Sequence, residues 1–177
     1  LSKWEAESGL RALLQAGGME YVILRPTLIY GPGVGANFLR LLRWAKSGIP
    51  LPFSAIDNRR SLLYVGNLTD AICACLDHPA AAGQTYLVAD GQDISTPQLL
   101  RNLARAMGRP ARLLPVPPSW LQIMGCALGK RAEISRLTES LTVDISKFEN
   151  DLGWHAPYSI DQGLSETIKW FKGQHVS

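Results

Sequence analysis

Long hydrophobic runs are missing from this sequence. No uninterrupted apolar stretch approaches the roughly 20 residues that a membrane-spanning helix requires, and no basic segment followed by an apolar one stands at the N-terminus. A strong charge of one sign is missing as well, since 18 Lys and Arg residues face 15 Asp and Glu residues. We therefore expect a soluble, cytoplasmic protein with neither a membrane nor a nucleic acid as partner.

Residues that commonly bind metal are also scarce. The three cysteines, Cys73, Cys75 and Cys126, lie in apolar helical segments, and the first two are spaced C-x-C, whereas metal and redox sites usually space cysteines C-x-x-C. The three histidines lie far apart in the sequence. We expect free thiols buried in the core and no metal site.

What is present is a pattern of alternating strands and helices in 177 residues. Short apolar segments at Tyr21–Leu24, Ser61–Val65 and Thr85–Ala89 predict strands, the first of them buried on both faces of a parallel sheet. Longer segments with helical periodicity lie between and after them. The alternation predicts an α/β fold with parallel strands early and more helix late. The chain starts at Leu1 inside a helical pattern without a cap, so we expect a fragment of a longer protein.

Polar residues before the helical segments predict where the helices begin. Asn37, Asn67, Thr96 and Ser159 each precede an apolar periodic stretch, and such residues accept hydrogen bonds from the first amides of a helix. Gly48 follows the second helical segment, and glycine is the usual residue at a helix C-terminus. We expect helices between these signals.

A glycine-rich turn follows the first strand. Gly31–Ala36 fits the dinucleotide-binding pattern G-x-G-x-x-[GA], with Asp57 about 20 residues further on. Pro32, however, removes an amide N–H from the loop whose amides would face a pyrophosphate. We therefore interpret the segment as a turn that shapes the wall of a pocket, with the dinucleotide fingerprint as the alternative.

Several segments together resemble a known family. They are Ser2–Glu7, Leu24–Pro32 (LRPTLIYGP), Asn58–Leu68 (NRRSLLYVGNL), Thr85–Asp90, Asp144–Lys147 and Leu152–Trp154. They resemble the C-terminal half of extended short-chain dehydrogenase/reductases of the NAD-dependent epimerase/dehydratase family, in particular its UDP-glucose 4-epimerase-like members. The resemblance covers essentially the whole chain.

The resemblance implies the C-terminal part of an NAD(P)-binding Rossmann-like fold with a small, helix-rich substrate-binding domain. Residues of about 1–30 and 60–90 would contribute to the Rossmann sheet, and about 31–59 and 91–177 to the substrate-binding part. The N-terminal half, which binds the cofactor in this family, would be absent from the chain. Family members often form homodimers, so we expect a homodimer for the full-length protein.

The resemblance also implies a catalytic lysine. Lys3 fits the lysine of the family's Tyr-x-x-x-Lys pair, in which the lysine binds the nicotinamide ribose and lowers the pKa of the tyrosine. The matching tyrosine would stand two residues before Leu1, so we expect the chain alone to have no epimerase activity. Pro26, Thr27 and Leu28 match the strand end beside the nicotinamide. The implied cofactor is NAD, with NADP as an alternative.

Six positions match family residues that bind a nucleotide-sugar: Asn37, Phe38, Leu51, Phe53, Arg60 and Arg136. In the family, Phe53 would stack on uracil, and Arg60 would grip the diphosphate, a task suited to a planar guanidinium. Arg136 fits as a second diphosphate ligand only loosely. The alternative to these binding roles is a purely structural one, in which Asn37 is a helix cap, Phe53 a core residue and Arg60 a surface arginine.

The implied activity is the 4-epimerisation of a UDP-hexose or UDP-N-acetylhexosamine by transient oxidation at C4. Many family members carry Asn where this sequence has Leu28. This departure leaves room for related dehydratases and reductases, including an NADP-dependent reductase of the dihydroflavonol or 3β-hydroxysteroid type. A noncatalytic nucleotide-binding module is the alternative outside the enzymes.

Overall fold

The computed structural model describes residues 3–127 and 129–174, without the side chains of residues 3, 4 and 15–17. The described residues form helices and short strands that alternate over the first hundred residues, which confirms the predicted α/β fold. The helices are α1 (Lys3–Gly17), α2 (Ala36–Ser47), α3 (Val65–Asp77), α4 (Thr96–Ala106), α5 (Pro118–Ala127), α6 (Arg131–Thr138), α7 (Ser146–Leu152) and α8 (Ile160–Gly173). The strands are β1 (Ile23–Pro26), β2 (Leu28–Tyr30), β3 (Arg60–Tyr64), β4 (Thr85–Val88) and β5 (Asp93–Ile94).

The strands pair in two short sheets. β1 and β4 are parallel, with Ile23 opposite Thr85 and Pro26 opposite Val88. In the other sheet β3 is central, parallel to β2 and antiparallel to β5. Because only Thr27 separates β1 from β2, the chain passes directly from one sheet to the other. Strands within residues 1–30 thus pair with strands within residues 60–90, while the division into two functional parts stays a prediction.

The central strand β3 separates two hydrophobic cores. Side chains alternate between the faces of a strand, so Leu62 and Tyr64 enter one core and Leu63 the other. The larger core consists of Tyr30, Phe38, Leu41, Leu42, Ala45, Phe53, Ile56, Leu62, Tyr64, Ile94, Leu99, Leu100, Leu103, Leu121, Ile160, Leu164, Ile168 and Phe171. The smaller core consists of Leu63, Ala71, Cys75, Ala81, Tyr86, Val88, Phe148 and Trp154.

Strand β1 is less buried than its apolar sequence predicts. The structure places the strand two residues later than predicted, and within it Ile23 is buried while Arg25 and Pro26 are exposed. Burial on both faces is therefore wrong for this strand. The physical reason is its position, since among the described residues β1 has β4 as its one neighbour.

The prediction of buried thiols is right for one cysteine of three. Cys75 is buried, whereas Cys73 and Cys126 are exposed. Residues two apart on a helix point about 200° away from each other, so Cys73 and Cys75 of α3 cannot both face the core. Burial raises the pKa of the Cys75 thiol.

The predicted ends of two helices are confirmed by local geometry. At the start of α8, Ser159 Oγ accepts from the Gln162 amide at 3.4 Å, and the Ser159 amide donates to Gln162 Oε1 at 2.8 Å, which forms a capping box. At the end of α2, Gly48 takes the left-handed conformation with φ of 68°, where glycine carries no steric cost.

Three predicted caps, Asn37, Asn67 and Thr96, are wrong, and contacts with distant segments use the last two of these residues. α2 begins one residue before Asn37 and α3 two residues before Asn67. The cap of α4 is Ser95, whose side chain accepts from the Gln98 amide at 3.2 Å. Thr96 and Asn67 are instead buried, and their side chains bond to distant parts of the chain.

Each core holds a tyrosine that donates a hydrogen bond to an aspartate. In the larger core Tyr30 Oη donates to Asp90 Oδ2 at 3.2 Å, and Asp90 is itself buried. In the smaller core Tyr86 Oη donates to Asp151 Oδ2 at 3.1 Å, and Asp151 is exposed. The two pairs share a geometry but differ in their access to water.

Candidate functional site

A cavity of about 360 Å³ lies between α2, β3, α4 and α6. Its apolar wall consists of Leu28, Phe38, Leu41, Trp44, Leu62, Leu99, Leu137 and Leu141. Its polar wall consists of Asn37, Arg40, Arg60, Thr96, Glu133 and Arg136. This volume and this mixture of an apolar wall with a few polar groups are typical of small-molecule sites.

The cavity brings together five of the residues predicted to bind cofactor or substrate. Leu28, Asn37, Phe38, Arg60 and Arg136 all line it, although they come from four separate elements. Asn37 and Phe38 lie in the first turn of α2, and Arg60 begins β3. Residues that are up to about a hundred positions apart therefore meet in one concave site.

Arg60 is fixed in the wall by backbone carbonyls. Its Nη1 donates to the carbonyl oxygen of Arg136, and also to that of Glu139 at 3.5 Å. Its other guanidinium nitrogens have no hydrogen-bond partner within the described parts of the chain. Burial lowers the pKa of Arg60, an effect that the Glu139 carboxylate opposes. An arginine remains charged in proteins, so a partly desolvated cation with spare donors faces the cavity.

Two further arginines and one carboxylate complete the charges at the cavity. Arg136 of α6 is exposed at its edge. Arg40 of α2 forms an ion pair with Glu133 of α6, which neutralises one positive charge and links the two helices across the cavity. The net charge of the lining is positive, so the cavity favours an anionic ligand.

Asn58 holds the wall of the cavity in place. It is 1% exposed, and its Nδ2 donates at 3.1 Å to the carbonyl oxygens of both Leu137 and Glu139. Its Oδ1 accepts from the Thr96 amide at 2.8 Å. Asn58 thereby ties the end of α6 to the start of α4. In the sequence, Asn58 only begins a segment that resembles the family, and this role was missed because no spacing distinguishes a buried asparagine from a turn asparagine.

Pro26 and Thr27 lie at the carboxyl ends of the parallel strands β1 and β4. The Thr27 amide donates to the Val88 carbonyl oxygen at 3.1 Å, and its Oγ1 donates to the same atom at 3.4 Å. The next residue, Leu28, already lines the cavity. The strand ends, where parallel α/β sheets bind their ligands, therefore adjoin the cavity. The side chain of Lys3, the predicted catalytic residue, lies outside the described residues.

Leu51 and Phe53 are not among the described residues that line the cavity. Leu51 pairs with the segment around Leu113, to which it is joined by backbone hydrogen bonds. Phe53 is 4% exposed, and its ring lies 5.7 Å from that of Trp44. Trp44 itself lines the cavity. The sequence reading missed Trp44, whose helical spacing resembles that of an ordinary core residue.

The glycine-rich turn leads into Asn37, which lines the cavity, and packs closely at Gly31. A Cβ atom at Gly31 would lie 2.4 Å from Cγ1 of Val65, and the residue has a φ of 148°. Glycine is therefore needed for the close approach of the turn to α3. This contact gives the first glycine of the pattern a packing role.

Neither a metal cluster nor a membrane-spanning helix is found in the part of the chain that the structure describes. No three His, Cys, Asp or Glu side chains there come close enough to hold a metal ion. Among the helices given above, none is long and apolar enough to cross a membrane.

Comparisons with known proteins agree with this architecture. The model of the "NAD dependent epimerase/dehydratase family" matches residues 1–89. A UDP-glucose 4-epimerase of Vibrio cholerae is 48% identical over 172 residues, which are 97% of this chain and 52% of that protein. An N-acetyl-alpha-D-glucosaminyl-diphospho-ditrans,octacis-undecaprenol 4-epimerase of Escherichia coli O157:H7 is 29% identical over 96% of this chain and 55% of that protein.

Solved structures show the same fold. A UDP-glucose 4-epimerase of Thermotoga maritima with UDP-glucose superposes with a TM-score of 0.69 at 19% identity, over 98% of this chain and 52% of that one. A UDP-glucuronic acid 4-epimerase of Bacillus cereus in complex with NAD gives a TM-score of 0.73 at 17% identity, over 98% and 51%. The chain thus spans about half the length of the relatives that it matches. The predicted C-terminal part of a Rossmann-like fold is confirmed.

Proposed function

Because this chain belongs to the NAD-dependent epimerase/dehydratase family, we propose that its cavity binds the nucleotide diphosphate of a UDP-linked sugar. The protein would interconvert a UDP-hexose or UDP-N-acetylhexosamine with its C4 epimer. The observation that carries this proposal is the meeting of Arg60, Arg136 and Asn37 in one largely apolar cavity.

Arg60 is the principal diphosphate ligand in this proposal. Its guanidinium is held by two carbonyl oxygens and has further donors that those bonds do not use. A fixed guanidinium can donate two hydrogen bonds to one phosphate, and charge-assisted bonds of this kind are about twice as strong as neutral ones. Arg136, exposed at the edge, adds a second positive charge. Phe38 and Trp44 supply apolar and aromatic surface for the base.

The residues at the strand ends fit a nicotinamide cofactor. Pro26 and Thr27 lie where two parallel strands end side by side, and Leu28 connects this point to the cavity. These three residues would lie against the nicotinamide, and Lys3 would hold its ribose. When bound, the cofactor supplies a hydride acceptor and donor for C4 of the sugar. NAD as the cofactor, with NADP as an alternative, is part of the proposal.

The residues of this chain would act on the substrate by holding one end of it. Asn37 and Arg60 would anchor the nucleotide and the diphosphate, which leaves the hexose free to present either face. Anchoring at a distance from C4 is compatible with a reaction that must turn the sugar over. Homodimer formation, cytoplasmic localisation and the catalytic role of Lys3 stay predictions.

Titration of the full 177-residue chain with UDP tests the proposal. We expect UDP to bind more tightly than uridine, since the diphosphate supplies the contact to Arg60. Arg60→Ala should weaken UDP binding about tenfold or more, because a charge-assisted hydrogen bond contributes about 1.5–3 kcal/mol. Isothermal titration calorimetry gives both affinities. Arg59→Ala is the matched control, since Arg59 is adjacent and exposed but does not line the cavity.

Equal affinity for UDP and uridine, or equal losses in the two arginine variants, would contradict the diphosphate site. The reductase alternative has its own supporting observation, which is the apolar wall that includes Leu28 in place of a polar residue. It predicts that an apolar ligand such as a flavonol binds the chain while UDP does not. That result would replace the epimerase proposal.

A further inference from the structure

Helix α5 carries an apolar face that is open to solvent. Trp120 is 65% exposed, Ile123 67% and Met124 50%. Together with Ala127 they follow the spacing i, i+3, i+4, i+7, which places them on one side of the helix. The buried residues of α5 are Leu121 and Gly125, which form a separate, narrow stripe.

The opposite side of α5 rests on α6, which borders the cavity. A Cβ atom at Gly125 would lie 2.8 Å from Cγ1 of Ile134, so the two helices approach closely at this glycine. On α6, Glu133 and Arg136 line the cavity. The exposed face is therefore one helix layer away from the candidate site.

The charged residues nearest to α5 in the sequence are positive. α5 itself contains no charged residue, while Lys130 in the following turn and Arg131 at the start of α6 are both exposed. The carboxylate of Glu133 is paired with Arg40. At an anionic membrane surface, tryptophan and aliphatic side chains enter the headgroup region, and lysine and arginine nearby contact the anionic lipids.

We propose that α5 docks on the surface of an anionic lipid bilayer. Trp120, Ile123 and Met124 would enter the headgroup region, and Lys130 and Arg131 would contact anionic headgroups. A helix of ten residues is about 15 Å long, so it lies on a bilayer and does not cross it. This proposal departs from the expectation, based on the absence of long hydrophobic runs, that the protein has no membrane partner.

The size of the face favours a bilayer over a second copy of the chain. Three such side chains at these exposures present on the order of 400 Å². A stable protein interface buries about 800 Å² on each partner. A bilayer imposes no such minimum, since each apolar side chain and each cation adds its own contribution.

Vesicle co-sedimentation of the full chain tests the proposal, with vesicles of phosphatidylcholine alone or mixed with phosphatidylglycerol. We expect the bound fraction to be at least about fivefold higher on the anionic vesicles, since two cations face the lipid. Trp120→Ser/Ile123→Ser should weaken binding about tenfold through lost apolar contact. Lys130→Gln/Arg131→Gln should remove the preference for anionic lipid without affecting the fold, because both side chains are exposed, Lys130 in the turn before α6 and Arg131 at the first position of α6.

Ile72→Ser/Leu76→Ser is the matched control, since these two residues of α3 are 43% and 77% exposed. This variant should bind anionic vesicles as the unchanged chain does. Equal binding to neutral and anionic vesicles, or equal losses in the two serine variants, would overturn the proposal. So would a change from dimer to monomer in Trp120→Ser/Ile123→Ser by sedimentation velocity, because a second copy would then be the occupant of the face.

Discussion

Each hydrophobic core contains a tyrosine–aspartate hydrogen bond, but the two aspartates differ in their exposure to water. In the larger core Tyr30 donates to Asp90, and in the smaller core Tyr86 donates to Asp151, at distances that differ by about a tenth of an ångström. Asp90 is 7% exposed, whereas Asp151 is open to water. Water can replace a lost partner in the second case but not in the first, so burial determines what each contact contributes.

Asp90 is held by more than its tyrosine. Its Oδ1 accepts from the Tyr64 amide at 2.9 Å and from Asn67 Nδ2 at 2.7 Å. Asn67 in turn donates to the Tyr158 carbonyl oxygen at 2.9 Å, which ties the network to the segment before α8. The larger core is thus joined to three parts of the chain through one carboxylate, whereas Asp151 serves as acceptor for one tyrosine.

Removal of each carboxylate in turn should give the largest difference in stability between the two cores. Asp90→Ala removes the acceptor of the Tyr30 hydroxyl, of the Tyr64 amide and of one N–H of Asn67. We expect a loss of about 3–5 kcal/mol in the free energy of unfolding, since each orphaned group costs about 1–3 kcal/mol. Asp151→Ala should cost less than about 1 kcal/mol, because water or the Ala80 carbonyl oxygen, 3.4 Å from Tyr86 Oη, can accept from the hydroxyl. Urea denaturation followed by circular dichroism measures both. Equal losses would show that the exposure of the acceptor does not control the energetics.

Removal of the two hydroxyls is a milder form of the same comparison. Tyr30→Phe should cost about 1.5–3 kcal/mol, since it deletes a hydrogen bond to a buried carboxylate. Tyr86→Phe should cost about 0.5–1 kcal/mol, the usual contribution of a hydrogen bond whose acceptor water can solvate. Both rings stay packed, so the difference isolates the hydroxyls. Urea denaturation measures both variants. A larger loss in the free energy of unfolding for Tyr86→Phe than for Tyr30→Phe would contradict the comparison.

Local signals in the sequence were sufficient for several elements of the fold. The Ser159 capping box and Gly48 act within a single helix end, so their residues alone identify the boundary. Asn67 and Thr96 have the same side-chain chemistry as caps but are used by distant segments of the chain. Which role an asparagine or threonine takes depends on tertiary packing, and a local pattern does not contain that information.

The candidate site was predictable to a similar extent. Arg60 and Arg136 were expected from the resemblance to a family, and they do meet at one cavity. Phe53 and Trp44 show the limit of such a prediction. Both are aromatic and their rings lie 5.7 Å apart, but of the two Trp44 lines the cavity and Phe53 does not. Tertiary packing decides this, and a local pattern does not contain it. Asn58 belongs to a segment that resembles the family, but no local pattern indicated its structural role, since that role comes from carbonyl groups about 80 residues away.

The pH dependence of stability is the smallest of the expected effects. It distinguishes the two tyrosine–aspartate pairs by the pH range in which each one loses its contribution to stability. Burial raises the pKa of Asp90 above its ordinary 3.8, although hydrogen bonds from Asn67, Tyr64 and Tyr30 oppose the shift. The folded state then holds the proton more tightly, so the stabilising contribution of protonated Asp90 is complete below the ordinary pKa and is lost as the pH rises through the folded value. The stability of the unchanged chain relative to Asp90→Asn should therefore fall from about pH 4 upward. A gain in stability over Asp90→Asn with rising pH would mean that the three hydrogen bonds outweigh burial.

The Tyr86 pair should lose stability at a higher pH. Burial and the hydrogen bond to Asp151 raise the pKa of Tyr86 to about 12, so the stability of the unchanged chain relative to Tyr86→Phe should fall between pH 10 and 12.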